Sequence, residues 1–91
     1  MVITMFKLSE NYTLTFLDSE IVLLNSKTGE SVFLNSTASL ILEGLLEGRE
    51  IRQFCLEVAK DYKIDSSAIY TDMLVLKKEL CDIGVIYEYN S

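Results

Sequence analysis

"SVFLNSTASLILEGLLEG", residues 31–48, is the stretch whose reading decides the fold. Its first four residues carry the β-branched and aromatic side chains of a strand. After Leu34 the apolar period changes from two to about 3.6, and Ala38, Ile41, Leu42 and Leu45 fall on one helical face. Asn35 or Ser36 can accept a hydrogen bond from the first free N–H groups of that helix, and Gly48 can stop it as a left-handed residue. Gly44, inside the helix, costs about 1 kcal/mol relative to alanine, which points to close approach by a neighbouring element. A short strand set hard against a helix raises the question of what its free side is for.

Upstream, "YTLTFLD" (Tyr12 to Asp18) alternates apolar residues with threonine, as a strand with one buried face does. "EIVLLNSKTGESVFLN" supplies two more strands, Glu20 to Asn25 and Glu30 to Leu34. They hinge at "SKTG", where Gly29 provides the positive φ of a tight turn. The result is an antiparallel three-stranded meander. Val2 to Leu8 reads equally as a short strand or an extended arm.

Downstream, helix two is expected over Ile51 to Tyr62, with Ile51, Phe54, Cys55, Val58, Ala59 and Tyr62 on the core side and Arg52, Gln53, Glu57, Lys60 and Asp61 outside. Asp65 caps a third helix that runs to about Ile83 and ends at Gly84, with Ile69, Met73, Leu76, Leu80 and Ile83 as its core seam. A second stripe of Tyr70, Leu74, Lys77 and Cys81 lies beside that seam, and Val75 adds an apolar side chain beyond it. It is either a groove for a ligand or the mark of a helix buried on two sides. The tail "VIYEYN" packs back as a last extended piece.

The chain has 91 residues, the size of one domain, residues 1–91, because either half alone would bury too little apolar surface. No uninterrupted apolar run approaches a membrane span, and "MVITMFKLSE" lacks the marks of a signal peptide, so a cytoplasmic protein without membrane contact is expected. Cys55 and Cys81 sit in helical apolar patterns, not at metal-ligand spacing, and read as buried reduced thiols. There is no histidine, which removes the commonest general base and metal ligand. No triad, metal set or glycine-rich phosphate loop is evident, so neither catalysis nor a cofactor is expected. Fourteen acidic against eight basic residues give a net charge of −6, which repels a nucleic-acid backbone.

Three segments together resemble the PqqD-like proteins, the precursor-peptide recognition elements of pathways that modify ribosomally made peptides. They are "LNSTASLILEGLLEG", like that family's Leu-Asn-x-Thr-Ala segment with a Leu-Leu-x-Gly ending, then "IRQFCLEVAKDYKID", then "DMLVLKKELCDIGVI". Glu50 departs from the pattern where threonine or serine often caps helix two, and Lys77 and Cys81 stand where leucine is frequent.

The resemblance implies an α+β, winged helix-turn-helix arrangement: a three-stranded antiparallel meander followed by three helices. It further implies a non-catalytic adaptor that takes the leader of a precursor peptide as an added strand. That leader would lie along the third strand, at Glu30, Ser31, Val32, Phe33 and Leu34, and against Tyr70, Leu74, Lys77, Lys78 and Cys81 of the third helix. The implied partners are a precursor leader and a separate modifying enzyme, such as a radical SAM enzyme, or a leader peptidase. The adaptor itself is expected as a monomer or weak homodimer that binds no nucleic acid. A DNA-binding winged helix and an unrelated protein-interaction module are the competing readings, the first opposed by the negative charge.

Overall fold

The computed structural model describes residues 4–90. Five strands and three helices follow in the order β1 (Thr4–Leu8), β2 (Tyr12–Leu17), β3 (Glu20–Asn25), β4 (Ser31–Leu34), α1 (Ser36–Glu47), α2 (Ile51–Tyr62), α3 (Ser66–Asp82) and β5 (Ile86–Asn90). The expected α+β order of a three-stranded antiparallel meander followed by three helices is present as β2-β3-β4 and α1 to α3. The open question over residues 2–8 resolves in favour of a strand for Thr4–Leu8, which pairs antiparallel with the tail strand β5 in a separate two-stranded sheet. Val2 and Ile3 lie outside the described residues.

Turn chemistry sets the meander. Between β3 and β4 the Asn25 side chain accepts from the N–H groups of Lys27 (2.9 Å) and Thr28 (3.2 Å), and Gly29 takes φ 78°. Between β2 and β3 the reversal falls on Asp18, left-handed at φ 57°, so β2 stops one residue short of the sequence expectation. Aspartate tolerates this conformation better than most residues. Ile21, Leu23 and Leu34 direct buried side chains at the helices, while Phe33 on the opposite face is 74% exposed.

Each helix starts on a side-chain cap. Asn35 accepts from Ala38 N–H at 2.8 Å, and Asp65 from Ser67 N–H at 2.9 Å. Glu50 does the same for α2, its carboxylate accepting from Gln53 N–H (2.6 Å) and Arg52 N–H (3.3 Å). The departure from serine or threonine at that position therefore keeps the capping function, with a charge that also suits the helix N-terminus. Gly44 has the expected close neighbour. A Cβ there would stand 2.7 Å from the Phe54 ring of α2, so the missing side chain lets α1 and α2 approach.

The core gathers Ile41, Leu42 and Leu45 from α1, Phe54, Cys55 and Val58 from α2, and Ile69, Met73 and Leu80 from α3, closed by Phe6, Val85 and Ile86. Two residues assigned to the core by periodicity lie outside it: Ile83 is 52% exposed and Tyr62 is 46% exposed. Both sit where a helix ends. The chain turns at Gly84 (φ 83°), and Val85 and Ile86 take the buried places that a longer helix would have filled. Among the described residues no helix is long and apolar enough to cross a membrane.

Candidate functional site

The hydrogen-bond phase of β4 determines what its free side offers. In the β3–β4 ladder Ile21 faces Leu34, Val22 faces Phe33, Leu23 faces Val32 and Leu24 faces Ser31. One step further along, Asn25 N–H donates to the Glu30 carbonyl at 2.8 Å. In an antiparallel pair, hydrogen-bonded and non-bonded positions alternate. Val32 and Leu34 therefore turn their N–H and C=O groups toward β3, while those of Ser31 and Phe33 point to the free edge. Among the described residues β4 has no neighbour on that side in its sheet.

Ser39 of α1 fixes the end of this edge. It is 1% exposed; its hydroxyl accepts from Ile21 N–H at 2.8 Å and donates to the Leu34 carbonyl at 3.2 Å. The hydroxyl thus bridges the last rung of the ladder and ties β3, β4 and α1 together. Sequence reading missed it, because a serine three residues before a buried leucine looks like an ordinary helix-surface residue. The usable signal was its place on the same face as Leu42 one turn after a strand.

At the end of β4 the chain opens onto a cleft of about 180 Å³ lined by Asn35, Thr37, Ala38 and Ile41 from α1 and by Asp72 and Leu76 from α3. Ala38, Ile41 and Leu76 give it an apolar side, Asn35 and the half-buried Thr37 add polar groups, and the exposed Asp72 stands at its rim. At 3.6 residues per turn, Glu79 and Ile83 share this flank of α3.

The stripe singled out on α3 lies elsewhere, roughly 160° around the helix at 3.6 residues per turn. Tyr70 lines a different cleft, of about 380 Å³, with Arg52, Cys55 and Leu56 of α2 and with Ser66 and Ser67. Lys77 holds its ammonium 5.9 Å from the centre of the Phe6 ring of β1. Cys81 is half-buried, and burial raises its thiol pKa against the opposing pull of Lys77. Leu74 is 40% exposed, and Lys78 is paired with Asp82 at 2.8 Å. Tyr70, Lys77 and Cys81 are thus largely occupied by α2 and the β1–β5 side of the domain. They do not share the cleft at the end of β4.

Cys55 is 2% exposed, and burial followed by the nearby Glu50 charge pushes its thiol up, which keeps it protonated and unreactive. Among the described residues no group of three or more His, Cys, Asp or Glu is arranged to hold a metal ion. The site's assets are main-chain hydrogen-bonding groups, an apolar cleft and a carboxylate, which suit recognition of an extended peptide.

The solved structure described as lasso peptide synthetase B1 complexed with the leader peptide is 27% identical and superimposes with a TM-score of 0.80 over 90% of this chain and 96% of that one. TbiB1 in complex with the TbiA(beta) leader peptide, at 24% identity, shares the fold, with a TM-score of 0.74 over 88% of this chain and 93% of that one. No curated protein matches. The family profile described as coenzyme PQQ synthesis protein D (PqqD) matches residues 20–86, well over half of the sequence, and the chain belongs to this PqqD family.

Proposed function

We propose that this chain binds the leader segment of a ribosomally synthesised precursor peptide as a fourth strand on the β4 edge and presents it to a separate modifying enzyme or leader peptidase, performing no chemistry itself. The observation that carries this reading is the free edge of β4, with the main-chain groups of Ser31 and Phe33 turned outward beside an apolar cleft. The likeness to a synthetase B1 solved with its leader peptide supports it. In this reading Glu30 to Leu34 supply the strand side of the site, and Ala38, Ile41, Asp72 and Leu76 supply its wall. Of the residues expected on α3, Leu74 and the Lys78–Asp82 pair are exposed enough to meet the modifying enzyme, while Tyr70, Lys77 and Cys81 support the fold behind it.

The domain works in this proposal as a single cytoplasmic unit. Its winged helix-turn-helix character rests on α2 and α3, joined across the left-handed Lys63 (φ 56°), with the meander as the wing. Binding to DNA is disfavoured by the net charge of −6.

Amide exchange tests the reading. On addition of a synthetic precursor-leader peptide that binds the chain, the Ser31 and Phe33 amides should gain protection, while Val32, already bonded to β3, should change little. Unchanged exchange at Ser31 and Phe33 in a saturated complex would rule out strand addition at β4.

A further inference from the structure

We infer that the cleft at the end of β4 selects a basic peptide, with Asp72 as the residue that sets this preference; the inference rests on the leader-binding reading above. A strand paired with β4 through Ser31 and Phe33 sends its alternate side chains to the face that Val32 and Leu34 share, over the cleft. Ala38, Ile41 and Leu76 there accept an aliphatic side chain, and the rim carboxylate of Asp72 meets whatever flanks it. Among the described residues Asp72 has no ion-pair partner, and Glu79 repeats the negative charge two turns further along the same flank.

No lysine or arginine lines this cleft among the described residues. Lys77 lies over Phe6 and Lys78 pairs with Asp82; Arg49, which lines a small pocket with Ile41 and Met73 next to the cleft, has its charge engaged by Glu57. Lys27 is in the β3–β4 turn, at the other end of the edge. One opposing effect is present: α1 begins at the cleft, and a helix N-terminus carries roughly half a positive charge. The Asn35 side chain already accepts from Ala38 N–H there, and the full carboxylate charge of Asp72 at the rim outweighs the remainder, with Glu79, about 10 Å further along the helix, adding a screened contribution of the same sign. The net field at the cleft is negative, on a chain of net charge −6. The favoured peptide places a lysine or arginine within about two residues of the aliphatic side chain that fills the cleft, the reach of alternate side chains on a strand.

A display library of random twelve-residue peptides, selected on the immobilised protein, tests this with no ligand sequence assumed in advance. Enriched peptides should carry Lys or Arg next to an aliphatic residue and should lose binding to Phe33→Pro, which places them on the β4 edge. Measured by fluorescence anisotropy, Asp72→Asn should weaken an enriched peptide about threefold, and Asp72→Lys at least about tenfold with a shallower salt dependence. Selection on Asp72→Lys should enrich Asp or Glu instead. Asp61→Lys, the same change of charge on the outside of α2, should leave affinity within about twofold, as for a screened distant charge. Enriched peptides without basic bias, or equal effects of Asp72→Lys and Asp61→Lys, would overturn the inference while leaving peptide binding intact. Failure to enrich any peptide that needs the β4 edge would overturn the leader-binding reading itself, and the inference with it.

Discussion

Proline substitutions along β4 separate the folding role of that strand from its proposed binding role. Val32 N–H belongs to the ladder with β3, opposite Leu23, by the alternation that starts from the Asn25 to Glu30 bond. Val32→Pro removes that bond, leaves a buried carbonyl without its donor and strips a partly buried side chain from the core. An internal strand bond lost to proline, with an unsatisfied partner, costs about 3 kcal/mol. In a domain of this size each kcal/mol lowers Tm by roughly 4–8 °C, so Val32→Pro should melt at least about 12 °C below the parent.

Phe33→Pro differs from it by one residue. Its N–H points to the free edge, and its side chain is 74% exposed, so neither a ladder bond nor much packing is lost. The expected destabilisation is about 1 kcal/mol, from restricting φ at a strand position. A peptide added at the edge, however, loses a main-chain donor and meets the pyrrolidine ring, and its affinity should fall at least about tenfold, or 1.4 kcal/mol. Phe33→Ala controls for the lost ring, and Ser31→Pro should behave like Phe33→Pro. Thermal unfolding followed by circular dichroism and a fluorescence titration with leader peptide read the two quantities. A stable Val32→Pro beside an unstable Phe33→Pro would refute the assigned phase. A folded Phe33→Pro that binds like the parent would refute pairing at β4.

Three further outcomes are expected. Ser39→Ala leaves Ile21 N–H and the Leu34 carbonyl without their bridge and should cost about 1–3 kcal/mol by chemical denaturation, whereas an unchanged midpoint would mean that the two strands close the rung directly. Gly44→Ala gains helix propensity but forces the Phe54 ring aside, and since overpacking costs about 1–3 kcal/mol the net change should be destabilising; increased stability would show that the ring yields freely. Asp65, its carboxyl pKa lowered by the N–H and hydroxyl of Ser67, contributes stability that is fully present above its unfolded pKa and lost as pH falls through its lower folded pKa. Asp65→Asn should therefore flatten the acid side of a plot of Tm against pH, and a parallel, merely shifted curve would count against that role.

Much of this fold is legible in the sequence because local chemistry specifies it. Asn35, Gly48 and Asp65 punctuate the helices where their side chains or backbone permit it, and the change of period at Leu34 marks a real boundary. What was not legible depends on groups far apart in the chain. β1 pairs with β5 across nearly the whole sequence, and neither strand has a hairpin turn to announce it. Ile83 continues the heptad seam perfectly and is nevertheless exposed, because periodicity carries no information about where the helix stops packing. In the proposed site the strand side, Glu30 to Leu34, follows from element order, whereas apolar spacing identifies two flanks of α3, and only the rotation of that helix against α1 decides that Asp72 and Leu76, and not Tyr70, line the cleft that follows β4.

That rotation and the Ser39 bridge bear on how tightly a peptide can be held. The β4 edge is fixed before any ligand arrives, by β3 on one side and by Ser39 at its end, so on the proposed reading the protein orders nothing on binding. The peptide does. Each residue of an extended segment that becomes fixed loses about 1–2 kcal/mol of backbone entropy, whereas a main-chain hydrogen bond returns a net of about 1 kcal/mol. With Ser31 and Phe33 alone facing outward in a four-residue strand, main-chain pairing sets the register of the peptide but cannot by itself make binding favourable. The surplus has to come from side chains that enter the apolar cleft, at about 25 cal/mol per Å² of apolar surface buried, and from charge complementarity at its rim. A cleft of about 180 Å³ admits roughly one large aliphatic side chain, so affinity is concentrated in one or two peptide positions. Binding on these terms is selective in sequence and weak enough to be released, which is what an adaptor that must pass its peptide to an enzyme requires.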